Sequence, residues 1–280
     1  MDPLQFLTTA KVAVVAGKGG VGKTTVTAVL ARAAIRRGLR VLVVELDGKP
    51  HLARLVPDVE VLSLSASAAL AEYLDTHGLS RVTRRLVNSG VIDVVATASP
   101  GIDDIVVLGK IKQIERGDDY DLIVVDGPAA GHAITFLLAA KSLLTSVRGG
   151  PIHTQASDVA AMLGDPTRAQ VVLVTLPETT PINEAVETAY ALEDKVGIHL
   201  APIVVNGVDS GPRLEAEAAP AGSPMRAAAE FRNARRELHE AACCDLGDAL
   251  ALHQLILPHM PGSVLDAAAV DRLADEWNAP

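Results

Sequence analysis

Nine residues near the N-terminus, GKGGVGKTT (Gly17 to Thr25), constrain this chain more than any other feature. They follow VAVVAG (Val12 to Gly17), a β-branched run of strand length. They lead into Thr24 to Arg37, where Val26, Val29, Leu30, Ala33 and Ala34 recur at helical spacing before Gly38 supplies a stop. Strand, glycine-rich loop, helix, glycine and a second strand make a βαβ unit. In that setting the pattern G-x-x-x-x-G-K-[ST], here Gly17, Gly22, Lys23 and Thr24, is a phosphate loop. Its glycines let backbone N–H groups turn toward an anion without Cβ clashes, and the helix start points its positive end at the same place. Backbone and side chains from Gly17 through Lys18, Gly19, Gly20, Val21, Gly22, Lys23, Thr24 and Thr25 are the expected nucleotide contacts. Lys23 reaches the terminal phosphates, and the Thr24 hydroxyl is suited to Mg²⁺.

The same alternation continues. RVLVVELD (Arg40 to Asp47), VIDVVATA (Val91 to Ala98), YDLIVVDG (Tyr120 to Gly127), AQVVLVTL (Ala169 to Leu176) and LAPIVVNGV (Leu200 to Val208) are short apolar runs bounded by polar residues or glycine. Such runs are strands buried on both faces. The expected fold is α/β, a doubly wound, mostly parallel sheet with ligands at the carboxyl ends of its strands. Apolar residues are 49% of the chain and aromatic ones 2%, so the core is aliphatic and the stacking platforms of single-stranded nucleic-acid readers are scarce. A net charge of -9 argues against a broad nucleic-acid or anionic-membrane surface.

The N-terminal MDPLQFLTTAK lacks the pattern of a secretory signal, and no apolar run has the length of a membrane span, so a cytoplasmic protein without a membrane anchor is expected. All 280 residues read as one domain. The exception in character is Asp209 to Gly247, rich in Ala, Glu and Arg, which reads as a helical excursion that either covers the sheet edge or contacts a partner. Cys243 and Cys244 are adjacent, which excludes a disulfide framework and suits buried small residues better than zinc ligands.

A second lysine, Lys18, stands on the outer lip of the loop, too far along to duplicate the grip of Lys23. A cation there is placed to project toward a facing protomer, as an arginine finger does. The spelling K-G-G-x-G-K-T resembles the deviant phosphate loop of dimerising ATPases, which include the Min and Par partition proteins, nitrogenase iron protein, and the arsenite-pump and guided-entry (tail-anchored protein targeting) ATPases. The resemblance implies ATP and Mg²⁺ held between two protomers, with Lys18 acting on the partner's nucleotide.

Further stretches resemble the arsenite-pump/guided-entry branch, from about Lys11 to Gly262. ELDGKPHLARL (Glu45 to Leu55) is similar to its switch I, which implies that Asp47 positions the attacking water and helps organise the metal; Gly48-Lys49-Pro50 lengthens the turn before His51. SPGIDDIVVLGKI (Ser99 to Ile111) is similar to its P-G-I-D-E segment; helix capping and a direct role both account for Asp103-Asp104. LIVVDGPAAGHAITFL (Leu122 to Leu137) ends a strand in Asp126, the second Mg²⁺-organising carboxylate beside Thr24, and keeps Gly127, Gly131 and His132 of switch II. VVLVTLPETTPINEA (Val171 to Ala185) is close to a bacterial form of the family. Asn206 is implied to read the adenine edge and Pro258 to pack on the base. The resemblance implies a homodimer, or a heterodimer with a close paralogue, that couples ATP hydrolysis to a protein client. A Min/Par-like partition ATPase and a non-hydrolysing regulatory subunit are the alternatives; the acidic tail VLDAAAVDRLADEWNAP counts against the first.

Overall fold

A computed structural model describes residues 4–46, 51–76, 101–260 and 265–278. The expected strand at Val91 to Ala98 and the candidate Asp47 lie outside the described residues. The strands are β1 (Val12–Gly17), β2 (Val41–Glu45), β3 (Glu60–Ser63), β4 (Leu122–Ala129), β5 (Ala169–Thr175), β6 (His199–Leu200), β7 (Ile203–Val208) and β8 (Gln254–Pro258). They form one parallel sheet in the order β3-β2-β4-β1-β5-β7-β8, with β6 paired to β5. The helices are α1 (Phe6–Thr9), α2 (Lys23–Arg36), α3 (Leu52–Leu55), α4 (Ala66–Thr76), α5 (Ile102–Glu115), α6 (Ala130–Ser146), α7 (Pro151–Leu163), α8 (Thr179–Ala191), α9 (Pro224–Ala249) and α10 (Ala267–Asn278).

Period-two alternation gives each strand one side chain per face in turn. Val12, Val14 and Ala16 of β1 join a core built with α5, α6, α7 and α8. Ala13 and Val15 join a second core with α2 and α10. Both faces are therefore covered, which is why the strands read as unbroken apolar runs. The α10 helix is also tied to α2 by Arg36–Asp271 at 3.2 Å and Arg36–Asp275 at 2.8 Å, and Trp277 Nε1 donates to Ile256 O at 2.8 Å.

Three local differences from the sequence reading have physical causes. The run at 200–208 splits into β6 and β7 around Pro202, which has no N–H to give to a ladder. β3 is an edge strand without a buried residue, so its EVLS carries no strong apolar signal. Leu257 and Pro258, the latter implied by the resemblance to pack on the base, are the end of β8; proline is tolerated there because β8 is the other edge. Among the described residues no helix is long and apolar enough to cross a membrane.

Candidate functional site

Strand order reverses around β1, whose neighbours are β4 and β5, and the loop Gly17 to Gly22 leaves β1 at that point. This is the crevice where ligands of open parallel sheets bind. A Cβ on Gly17 would stand 2.3 Å from Val174 O of β5, so only glycine permits the approach. Gly17→Ala is expected to lower stability by about 1–3 kcal/mol, read from the urea midpoint, because backbone rather than a flexible side chain must move. Gly22 has φ of 92°, and α2 begins at the next residue. The first amides of α2 thus open onto the crevice.

Lys23 Nζ donates to Gly17 O at 3.2 Å and to Lys18 O at 3.3 Å, so its ammonium sits inside the loop. Thr24 Oγ1 donates to Asp126 Oδ2 at 2.8 Å, and Thr27 Oγ1 lies 3.3 Å from Asp126 Oδ1. Asp126 is in register with Val15 of β1 and Glu45 of β2. Gly20, Gly22, Lys23, Thr24, Glu45, His51, Asp126 and Gly127 line one cleft of about 310 Å³. Hydroxyl and carboxylate oxygens with a loop of amides and one ammonium fit a Mg²⁺–polyphosphate, since Mg²⁺ takes oxygen ligands and relies on the phosphates to complete its shell. Two residues carried no assigned role from sequence: the buried Thr27, which meets Asp126 from behind the cleft, and the buried Glu45 of the cleft itself, whose signal was a second strand-end carboxylate two residues before Asp47. His51 does reach the cleft, with its Nδ1 2.7 Å from Arg54 Nη2.

Lys18 points away from the cleft. Its Nζ is 2.6 Å from Glu184 Oε1 on α8, and both side chains are partly exposed. The two line a groove of about 560 Å³ with Gly19, Gly131 and Ile134. Asn206 closes the other side of the loop: its Nδ2 donates to Val21 O at 2.9 Å, and a Cβ on Gly22 would touch it. Pro258 stands opposite Val208 on the neighbouring strand. The loop, Asn206 and Pro258 therefore share one end of the sheet, with Asn206 engaged by the loop backbone.

Beside the end of β4 and the start of α6, a cavity of about 250 Å³ is lined by Leu46, Asp103, Asp104, Pro128, His132 and Phe136 among others. Asp103 and Asp104 occupy the first turn of α5, where carboxylates are favoured by the helix dipole, while Gly101 is its N-cap and no side chain caps it. Burial, then the charge of Asp103, pushes the Asp104 carboxyl up to about 6, with His132 acting in the opposite direction. A carboxyl raised in the folded state binds more protons folded than unfolded between about pH 4 and pH 6, so stability falls as pH rises through that window. Asp104→Asn is expected to raise the urea midpoint at pH 7 and to change it little at pH 4.

The stretch after β7 is held by a buried carboxylate. Asp209 accepts from Arg232 Nη2 at 3.0 Å and Arg235 Nη2 at 2.8 Å, and its backbone N–H donates to His239 Nδ1 at 3.1 Å. The two guanidiniums bring its carboxyl down to about 2. The sign is opposite to that of Asp104: this contribution is present above about pH 4 and is lost as pH falls toward 2. An acid-unfolding curve of the wild type should contain a component in that window that Asp209→Asn lacks. The helical excursion is α9 with a preceding loop; of its cysteines, Cys243 is half-buried but Cys244 is exposed, because successive helical positions point about 100° apart. The expectation that both are buried is thus corrected for Cys244.

Comparison with known proteins agrees with this geometry. Residues 10–148 match the family model described as anion-transporting ATPase. The chain is 33% identical over 217 residues to the ATPase BagA of Mycobacterium tuberculosis, a match covering 69% of this chain and 63% of that protein. It is 30% identical over 196 residues to an arsenical pump-driving ATPase of Escherichia coli, 65% of this chain and 32% of the relative. It is 30% identical over 193 residues to ATPase get3 of Schizosaccharomyces japonicus, 61% of this chain and 58% of the relative. The chain thus spans less than two thirds of the length of each of these relatives. The loop, the strand-end carboxylate and the sheet order accord with the match: the chain belongs to the anion-transporting ATPase family of the arsenite-pump/guided-entry type.

Proposed function

We propose that the chain binds ATP with Mg²⁺ and hydrolyses it between two protomers, either two copies or one copy and a close paralogue, and that the nucleotide state sets what protein client the dimer binds. The observation that carries this reading is the cleft itself. Lys23, Thr24 and Asp126 converge there on a glycine-framed anion site, with Thr24 and Asp126 already 2.8 Å apart. The loop amides and Lys23 hold the phosphates. Thr24 and Asp126 would hold Mg²⁺, which when bound neutralises phosphate charge and orients the terminal group. Asp47 positions the attacking water, and Asn206 with Pro258 borders the base. We place the protein in the cytoplasm, as one nucleotide-binding domain whose 209–247 stretch serves partners.

Lys18 is the residue that requires a second protomer. Within one chain it is held by Glu184. An exposed ion pair of this kind is worth about 0–1 kcal/mol, whereas a cation delivered to the departing phosphoryl group accelerates hydrolysis by about 10³–10⁵, equivalent to roughly 4–7 kcal/mol. Releasing Glu184 is therefore a small cost against the gain. The test is phosphate release by the pure protein over a series of protein concentrations. Specific activity that rises with concentration supports the sandwich. Tight ATP binding with no turnover favours a regulatory subunit instead.

A further inference from the structure

Arg232, Arg235 and His239 recur on α9 in steps of three and four, so one face of the helix carries all three. That face meets Asp209, the buried residue directly after β7. The arginines hold its carboxylate, and its backbone nitrogen lies 3.1 Å from His239 Nδ1. A backbone N–H can only donate, so Nδ1 accepts, and the ring is neutral with its proton on Nε2. A second proton would occupy Nδ1 and turn the acceptor into a donor. The Asp209 N–H would then face another N–H and lose its bond.

This bond holds the end of β7 that borders the nucleotide crevice. The ladder between β7 and β8 shifts register between Asn206 and Val208, where Gly207 has φ of 75°. The left-handed backbone turns the chain immediately after Asn206. On one side of the shift, Asn206 Nδ2 donates to Val21 O of the phosphate loop at 2.9 Å. On the other, Val208 O accepts from His259 N at 2.8 Å, and Asp209 is held by α9. The arginines grip a side chain that can rotate, whereas His239 grips the peptide itself. Among the described residues, the charged and titratable groups acting on the ring are Arg235 of its own helix, Asp209 after β7, Glu178 before α8 and His259 after β8. Burial, then the charge of Arg235, holds the ring below the ordinary histidine pKa; Asp209 and Glu178 pull it upward and His259 downward. A histidine lowered on folding binds fewer protons folded than unfolded. Its contribution is therefore present above about pH 6.5 and is lost as pH falls from there toward the lower folded value.

We propose that His239 is a positioning residue for the nucleotide: its neutral ring fixes the backbone after Asn206, and a proton on Nδ1 releases that backbone and weakens ATP binding. The effect on ATP rests on the nucleotide site of the proposed function; the bond itself does not. His239→Asn and His239→Leu in the full chain test it. The Asn Oδ1 stands where Nδ1 stands and accepts at every pH, and Leu offers no acceptor. ATP affinity is measured for the three proteins at about pH 7.5 and about pH 5. Ratios to His239→Asn cancel the protonation of ATP and of groups elsewhere in the chain. At the higher pH the wild type should match His239→Asn, with His239→Leu about tenfold weaker, the scale of one hydrogen bond lost by a buried donor. At the lower pH the wild type should also fall about tenfold below His239→Asn. A wild type that tracks His239→Asn at both pH values overturns the proposal, and this comparison stands even where His239→Leu fails to fold. Histidine-selective ¹⁵N NMR reads the ring directly, and a proton on Nδ1 at about pH 7.5 also overturns it. ATP that binds at neither pH sinks the proposed function instead. Amide exchange at Asp209 then decides: faster exchange in the wild type than in His239→Asn at the lower pH alone supports the bond, and equal exchange at both overturns it.

Discussion

Lys18→Ala is expected to remove phosphate release while leaving ATP binding within a few-fold of the wild type. The expected loss in kcat is about 10³-fold or more, the scale set by cations supplied in trans to a departing phosphoryl group. Binding survives because Lys18 does not face its own cleft; its Nζ lies 2.6 Å from Glu184 on the far side of the loop. Folding should survive too, since the substitution removes a partly exposed ion pair with Glu184. Phosphate release and fluorescent-nucleotide titration on the same preparation give both quantities. A parallel loss of binding and turnover would mean that Lys18 serves its own nucleotide.

The second large effect belongs to Lys23→Ala, and its signature differs. Lys23 Nζ is held by Gly17 O and Lys18 O at 3.2 and 3.3 Å, at the centre of the loop. A charged hydrogen bond to phosphate contributes about 1.5–3 kcal/mol, so ATP affinity should drop about tenfold to 100-fold. Removing a donor aimed at developing charge costs about a further 10²-fold or more in the chemical step. The product, a fall in kcat/KM of about 10³-fold or more, is then divided between binding and turnover, whereas Lys18→Ala acts on turnover alone. Titration and turnover curves of the two variants, measured side by side, make that division visible.

The phosphate loop was legible in sequence because its glycines, lysine and hydroxyl must occur in a fixed order between a strand and a helix, and the structure sets Gly17, Gly22, Lys23 and Thr24 there. Asp126 was legible as the end of a buried apolar run, and Thr24 bonds it. Glu45 was not, because one buried carboxylate at a strand end looks like any other until register puts it opposite Asp126. The Lys18–Glu184 pair spans 166 positions, and no local pattern encodes it. The same holds for Asp209 with Arg232 and Arg235: the sequence shows an Arg-rich helix, and only the fold reveals which arginines turn inward. The edge strands β3 and β8 were missed for the opposite reason, since an edge strand need not be apolar on both faces.

The central claim is that each protomer lends its Lys18 to the other's ATP. Mixing two inactive variants tests it most directly: Lys18→Ala, which keeps Asp47, and Asp47→Asn, which keeps Lys18. In a mixed dimer the Lys18→Ala protomer holds ATP with its own Asp47 and receives Lys18 from its partner. Random pairing at equal amounts makes half the dimers mixed, each with one competent site, so activity should return to about a quarter of the wild type. Activity that stays at the sum of the two variants at every mixing ratio would contradict the account.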